Sequence, residues 1–495
     1  MILSRKNLNL LSNVTTNIPD PASFGLPEKV LQFGTGVLLR GLPDYFIDKA
    51  NRSGIFNGRV AVVKSTGNET TEFDQQDSLY TICVRGVENG VFVSENIISA
   101  AISRVIAANN NWEAILAIAG SEALRIIVSN TTEAGIQLVE ESIHQSPPVS
   151  FPAKVLAVLY QRYQAFKGAE ESGLVIIATE LIPDNGKKLK EIVWKLALFN
   201  ELEDQFVSWL LQHNRFCNSL VDRIVPGKPD AKALSALEEE LGYQDDLLVM
   251  TEPYRLWAIE GDDKVAEVLS FSMADQGMIV VEDIEIYREL KVRLLNGTHT
   301  LSSGIAFLSG IDTVKNAMEN EQIKNYIAML MEKEIGPAIP YAVSPEQITA
   351  FANTVKDRFA NPSIAHLWLN ITAQYTMKMK IRILPLLLNH YRLFHHVPEH
   401  IAFGFAAYLV FMKTDHQKDG KYYGAYQKIN YLINDDSAGY FAGKVTLGDE
   451  HYVLSILADV DFWNADLSLL QGFAQAVKTR FEEILQLGML GALRS

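Results

Sequence analysis

Lys29-Val30-Leu31-Gln32-Phe33-Gly34-Thr35-Gly36-Val37-Leu38-Leu39-Arg40-Gly41 is an apolar strand that runs into a Gly-x-Gly turn and then a helical pattern. This succession is how a dinucleotide-binding α/β domain opens. Gly34 permits the tight turn, Gly36 lets the backbone approach a pyrophosphate, and the following helix offers unsatisfied N–H groups at its positive dipole end. The whole stretch from Val30 to Gly41 is therefore the candidate cofactor site. Leu39 stands where the third glycine of the usual fingerprint would fall. A lone Gly-x-Gly also fits a turn that holds no ligand, so the rest of the chain has to decide between the two.

Outward from this turn, short β-rich runs alternate with helical patterns. Strands are predicted at Lys29 to Phe33, Arg59 to Lys64, Leu124 to Asn130, Leu174 to Thr179 and Met278 to Val281. Alternation of this kind implies a mostly parallel sheet with crossover helices. One hairpin interrupts it, with Tyr80 to Arg85 and Val91 to Glu95 flanking Glu88-Asn89-Gly90, since Asn-Gly favours the two-residue hairpin turn. After Asp283 the strand signals stop and helical periodicity takes over. The expected fold is α/β, with a Rossmann-type domain over residues 1–283 and a mostly α-helical substrate domain over residues 284–495.

Just past that boundary lies Lys291-Val292-Arg293-Leu294-Leu295-Asn296-Gly297-Thr298-His299, which places an amine, an amide and an imidazole on an otherwise apolar stretch. Those three groups suit proton transfer at a carbonyl without a metal. On an α-helix Asn296 lies about 140° and His299 about 80° around the axis from Lys291, close enough for the three tips to meet one ligand atom.

Composition narrows the class. The 495 residues are 48% hydrophobic, enough for two cores of ordinary size, and the formal charge of -15 argues against a nucleic-acid partner, which needs a basic face. Cys83 and Cys217 are too few for a disulfide framework or a cysteine metal site, and they fit a reducing cytoplasm. Met1 to Ser12 lacks the apolar core of a targeting segment. Ile401 to Met412 is shorter than the ~20 residues that span a bilayer, so it reads as a buried helix rather than a membrane anchor. His390, His395, His396 and His400 crowd together, but their spacing matches no zinc pattern, and a loop near Pro398 explains them better.

Taken together, Gly34-Thr35-Gly36-Val37-Leu38-Leu39-Arg40-Gly41 and Lys291-x4-Asn296-x2-His299 resemble the mannitol dehydrogenase family of polyol-specific long-chain dehydrogenases. Further segments resemble it in order: Gln76 to Tyr80, Thr132-Glu133-Ala134-Gly135-Ile136, Asn218 to Ile224, and Arg358-Phe359-Ala360-Asn361-Pro362. The resemblance implies NAD as cofactor and hydride transfer, with Lys291 as general acid and base, Asn296 as amide donor to the substrate oxygen, and His299 binding the neighbouring hydroxyl or orienting Lys291. Within the family, Ser129 to Ile136 and Ala178 to Gly186 resemble members that act on a sugar acid. Other members, polyol enzymes and some that act on a sugar acid alike, usually carry Asp-Asn where this chain has Glu180-Leu181. Since Leu181 cannot hold a substrate oxygen as that asparagine does, the polar cradle rests more on Asn296 and His299 or on another neighbour.

A sugar-acid substrate requires a cation for its carboxylate. The family's substrate lysine corresponds to Lys378, and the arginine that accompanies it corresponds to Asn370. Arg382 follows Lys378 at i+4, on the same helix face. Asp222 is expected either to position substrate or to form a buried pair with Arg223. For the cofactor, the second strand ends Val63-Lys64-Ser65-Thr66-Gly67, with no acid for a ribose diol. Ser65 or Thr66 would serve NAD there, and Lys64 would tolerate a 2'-phosphate. Which sugar acid is used, and whether the chain instead takes a polyol substrate or is a non-catalytic sensor of a nucleotide or sugar acid, stays open at this point.

Overall fold

The computed structural model describes residues 1–11, 16–132 and 135–494. Ser12, and Glu133 and Ala134 of the family-like segment Thr132 to Ile136, lie outside the described residues. The chain divides into two compact units: Met1–Arg85 with Phe92–Ile284, and Gly86–Val91 with Glu285–Ser495. The tip of the predicted hairpin thus groups with the second unit, which a linear boundary cannot express.

The first unit is built on six parallel strands: β1 (Glu28–Phe33), β2 (Arg59–Lys64), β3 (Ile102–Ala107), β4 (Ile126–Ser129), β5 (Val175–Ala178) and β6 (Arg215–Cys217). Their order is β3-β2-β1-β4-β5-β6, and every neighbouring pair is parallel. Period-two alternation sends successive side chains to opposite faces. Val30, Val60, Val62, Ile126, Val128, Val175 and Ile177 pack into one core, beside Phe46 and Ile47 of the helix Pro43–Arg52. Leu31, Phe33, Ala61, Val63, Ile127, Ile176 and Ala178 pack into the other, under the helices Trp112–Ala119, Phe151–Phe166 and Asn185–Phe199. With both faces covered, the strands read as continuous apolar runs. The order reverses between β1 and β4, and the crevice outside their carboxyl ends is where a doubly wound sheet binds its ligand.

Two of these six strands escape the sequence reading: β3 because Ser103 and Arg104 interrupt its apolar run, and β6 because it has only three residues, set between Asn214 and Asn218. The predicted strand Met278–Val281 forms, but in a separate three-stranded sheet with Ser219–Asp222 and Leu256–Glu260. The hairpin strands extend to Tyr80–Glu88 and Val91–Ser99, with Asn89 and Gly90 both at positive φ, as a type I' turn requires.

The expectation that strands end at Asp283 is wrong. Thr414–Lys418, Lys421–Tyr426 and Ile429–Leu432 form an antiparallel sheet in the second unit. The first turn is Asp419-Gly420, both residues at positive φ. The sheet's first strand is polar and almost wholly exposed, and the other two bury little beyond Gly424, Tyr426 and Tyr431, so the apolar alternation is weak.

The rest of the second unit is helical. Its centre is the helix Glu399–Met412, buried at every position from Ile401 to Met412. It packs against the helices Thr298–Leu308 and Phe473–Leu487. Gly404 and Gly304 allow the first of these crossings. A Cβ at Gly404 would come within 2.9 Å of the Leu301 Cβ, and one at Gly304 within 3.2 Å of the Ala407 carbonyl oxygen. Glu334 accepts from the backbone N–H groups of His400 and Ile401, and so satisfies the start of the buried helix.

Candidate active site

In the first unit the Gly34 to Gly41 turn leaves β1 beside β4. Gly34 sits at φ +125°, and a Cβ there would meet Leu39 Cδ1 at 3.0 Å and the Asn130 carbonyl oxygen at 3.1 Å. Only glycine fits. Gly36 differs: its φ is -62°, it is exposed, and a Cβ would meet nothing within 4 Å. One glycine closes the turn and the next opens the surface, as a backbone cradle for a pyrophosphate requires.

The other candidate cofactor residues divide by burial. Val30, Leu31, Phe33 and Leu39 are core side chains, so only their backbone is available to a ligand. Gln32 lies beneath the turn, donating to the Gly34 carbonyl and to Asp44, whose carboxyl is pushed up to about 7 by burial. Arg40 is turned inward: its Nε donates to the Thr35 carbonyl, Nη1 donates to the Leu247 carbonyl, and the guanidinium lies over the Tyr80 ring. Arg40 therefore braces the turn. Gly41 packs against Val225 and Thr251, and its carbonyl accepts from Arg223. Thr35, Gly36, Val37 and Leu38 form the accessible part.

Arg223 also donates to the Glu252 carbonyl and lies 4.4 Å over the Tyr45 ring, so it too is spent on the fold. Asp222 is buried at the end of Ser219–Asp222. After β5, Glu180 turns into the protein and accepts from the Thr131 N–H and the Ser129 and Thr131 hydroxyls, while Leu181 is 66% exposed. Past β2, the Lys64 ammonium donates to the Glu69 carbonyl.

In the second unit the proton-transfer stretch is not an α-helix. Lys291–Gly297 is π-helical and continues directly into Thr298–Leu308. An i→i+5 ladder widens the turn, so Lys291 and Asn296, five apart, lie nearer one another around the axis than the about 140° expected of an α-helix. Arg293 points away from them. It forms a two-pronged pair with Glu289 at 2.9 and 3.2 Å, and its Nη1 donates to the Ile381 and Arg382 carbonyls. Those carbonyls belong to a second π turn, Met379–Ile383, so one guanidinium ties the two turns together.

His299 is 8% exposed. Its ring stacks on Phe359 at 4.2 Å and meets His366 and Trp368 edge-on at 5.1 and 5.9 Å. Its Nε2 is buried with no hydrogen-bond partner among the described residues. Burial, with His366, Arg358, Arg382 and Lys378 nearby, holds its pKa well below the usual histidine value, so the imidazole is neutral. Arg382 Nη1 reaches the Asn296 carbonyl at 3.4 Å and Thr300 Oγ1 at 3.2 Å. Lys378 Nζ donates to the Ile371 carbonyl at 2.8 Å. Among the described residues neither cation makes an ion pair with a carboxylate, whereas Asn370 is exposed.

The second unit thus gathers Asn296, His299, Lys378 and Arg382, while Lys291 is half-buried on the same π turn. Sequence reasoning assigned no role to Phe359, His366 or the Glu289–Arg293 clamp. Phe359 belongs to a family-like segment, but its contact with His299 spans 60 residues and has no local signature. Of the histidines from His390 to His400, His390 and His396 pack edge to face at 4.9 Å, while His400 turns to Glu334. His390 Nε2 meets the His396 carbonyl and His400 Nδ1 meets Glu334, and no group of three metal-ligating side chains occurs among the described residues.

The clamp carries a prediction. Arg293→Met leaves Glu289 as a buried charge without its guanidinium and frees two carbonyls, so the fold should lose about 3 kcal/mol. Urea unfolding should show a lower midpoint at an unchanged slope, and an unmoved midpoint would mean that the clamp is idle.

The arrangement offers a neutral buried imidazole with Lys378 and Arg382 nearby, and an amine and an amide on the π turn that leads into it, which is equipment for a carbonyl or hydroxyl on an anionic substrate. Comparisons with known proteins agree. The family description "Mannitol dehydrogenase Rossmann domain" matches residues 28–273, and "Mannitol dehydrogenase C-terminal domain" matches residues 283–485. An altronate oxidoreductase of Bacillus subtilis (strain 168) is 39% identical over 94% of this chain and 95% of its own length. One from Pectobacterium carotovorum is 35% identical over 94% and 96%. Among solved structures, a Pseudomonas fluorescens mannitol 2-dehydrogenase, in ternary complex with NAD and D-mannitol, superposes with TM-score 0.68 at 21% identity, covering 100% of this chain and 99% of that one. A substrate-free D-sorbitol dehydrogenase gives 0.78 at 20% identity, with 100% of both chains covered. No described helix is long and apolar enough to cross a membrane. The chain is an oxidoreductase that belongs to the mannitol dehydrogenase family.

Proposed function

We propose that this chain interconverts D-tagaturonate and D-altronate in hexuronate catabolism, with NAD as the cofactor. The carrying observation is the buried, neutral His299 with an unpartnered Nε2, set beside Lys378 and Arg382, neither of which meets a carboxylate among the described residues. A single lysine also serves a hydroxyl, as in polyol relatives, but a second cation beside it suits a substrate that brings a carboxylate. The altronate oxidoreductases among the relatives support the same substrate class.

The open surface at Gly36 fits a pyrophosphate, and the bound nicotinamide would supply or accept a hydride. The chain's own groups handle the proton and the oxygen. Lys291 as ammonium donates a proton to the developing alkoxide, and as amine it removes that proton in the reverse direction. The Asn296 amide, which makes no hydrogen bond to a described residue, donates to the same oxygen, a contact worth about 3 to 4 kcal/mol in comparable sites. Neutral His299 binds the adjacent hydroxyl through Nε2. Lys378 holds a second substrate oxygen, and Asp222 completes the substrate set. Lys64 is engaged with the Glu69 carbonyl rather than held for a 2'-phosphate, which favours NAD over NADP.

NADH oxidation measured over tagaturonate, fructuronate and fructose should give the largest kcat/KM with tagaturonate. A preference for fructuronate would move the assignment to the epimeric sugar acid, and a preference for fructose would move it to a polyol dehydrogenase. Equal rates with NADPH would overturn the cofactor choice.

A further inference from the structure

Two cations flank the candidate substrate site, and their surroundings differ. Lys378 is drawn onto the Ile371 carbonyl, and burial beside Arg382 lowers its pKa to about 8, so a share of it is neutral in mildly alkaline solution. Burial lowers the Arg382 pKa too, to about 10, which leaves the guanidinium charged at neutral pH. Only its Nη1 is engaged, by the Asn296 carbonyl and Thr300 Oγ1. Nε and Nη2, one edge of the planar fork, meet no acceptor among the described residues. Neither nitrogen is among the buried unpartnered atoms, so this edge stays within reach of a ligand's anion.

The position is also built. Asn296 and Thr300 flank His299 in sequence, so the Arg382 guanidinium is anchored to the helical turn that carries the imidazole. Its own backbone lies in the π turn Met379–Ile383, whose carbonyls are held by Arg293, itself fixed by Glu289. Arg382 is thereby aimed by a network that begins almost 100 residues earlier.

We propose that Arg382, through the open Nε/Nη2 edge of its guanidinium, is the residue that binds the sugar-acid carboxylate, and that Lys378 holds a hydroxyl common to acid and neutral substrates. The proposal rests on the sugar-acid reading above and moves the carboxylate from Lys378, where the sequence placed it, to a specificity-determining arginine. A fork matched to two carboxylate oxygens selects a uronate over a ketose more sharply than a single ammonium does.

The test is kcat/KM for tagaturonate and for fructose, with NADH saturating, in wild type, Arg382→Met, Arg382→Lys and Lys378→Met. Arg382→Met should lower the tagaturonate-to-fructose ratio at least about 30-fold, chiefly through KM. Arg382→Lys should recover only part of it, because it restores charge without the fork. Lys378→Met should impair both substrates alike. An unchanged ratio in Arg382→Met with a normal melting curve would overturn the proposal and leave Arg382 as a brace for the Asn296 turn. Should Arg382→Met fail to fold, Arg382→Lys decides, since the ammonium keeps one contact to that turn: a full wild-type ratio overturns the proposal, and a fall supports it. A wild type that prefers fructose to both uronates removes the underlying reading, and the proposal with it, before any variant is made.

Discussion

Lys291→Ala is expected to lose turnover by roughly a thousandfold, within the range of about 10² to 10⁴ that a positioned general acid contributes. NADH affinity should stay near wild type, because the candidate dinucleotide turn at Gly34 to Leu38 belongs to a different unit of the chain. The two readouts together make the result specific. Stopped-flow or steady-state NADH oxidation measures the first, and fluorescence titration of NADH measures the second. Loss of both would indicate a damaged fold, which a melting curve would reveal. Near-normal turnover in a folded variant would remove Lys291 from the chemistry.

Gly36→Val should weaken NADH binding by on the order of 100-fold, about 2.7 kcal/mol, with little change in stability. The argument is geometric. Gly36 has an ordinary φ of -62° and open space where a Cβ would stand, so the folded chain accepts valine. What valine fills is the surface a pyrophosphate has to approach. Gly34→Ala is the informative contrast. At φ +125°, with Leu39 and the Asn130 carbonyl at 3.0 and 3.1 Å from its Cβ, alanine strains the turn itself. Gly34→Ala should therefore lower the melting temperature, whereas Gly36→Val should not. Unchanged NADH titration in Gly36→Val would show that the dinucleotide lies elsewhere.

Most of the first unit was legible because its signals are local. β1, β2, β4 and β5 are apolar runs bounded by turn residues, and Gly34-Thr35-Gly36 follows the first of them directly. Asn89-Gly90 specified its hairpin through the backbone conformation that only such residues adopt readily. The sheet at Thr414–Leu432 was missed despite an equally plain Asp419-Gly420 turn, because its first strand is polar and exposed and the other two bury only a few positions, which leaves the alternation weak.

The active-site stretch divides along the same line. Its residue types were readable from Lys291, Asn296 and His299, because proton transfer at a carbonyl draws on few side chains. Their arrangement was not. A π turn replaces one hydrogen-bond ladder with another at no change in composition, and here it coincides with Arg293 reaching carbonyls about 90 residues away. The stacking of Phe359 on His299, the loss of charge on that imidazole, and the aiming of Arg382 at the Asn296 turn arise likewise between segments far apart in the chain. Sequence by itself determined the chemistry available and the parallel-sheet framework, since both are encoded within a few neighbouring residues. Only the tertiary structure decided how Lys378 and Arg382 are held, the first by the Ile371 carbonyl and the second by the Asn296 carbonyl and the Thr300 hydroxyl, because burial and hydrogen-bond satisfaction belong to the packed chain and not to any one stretch of it.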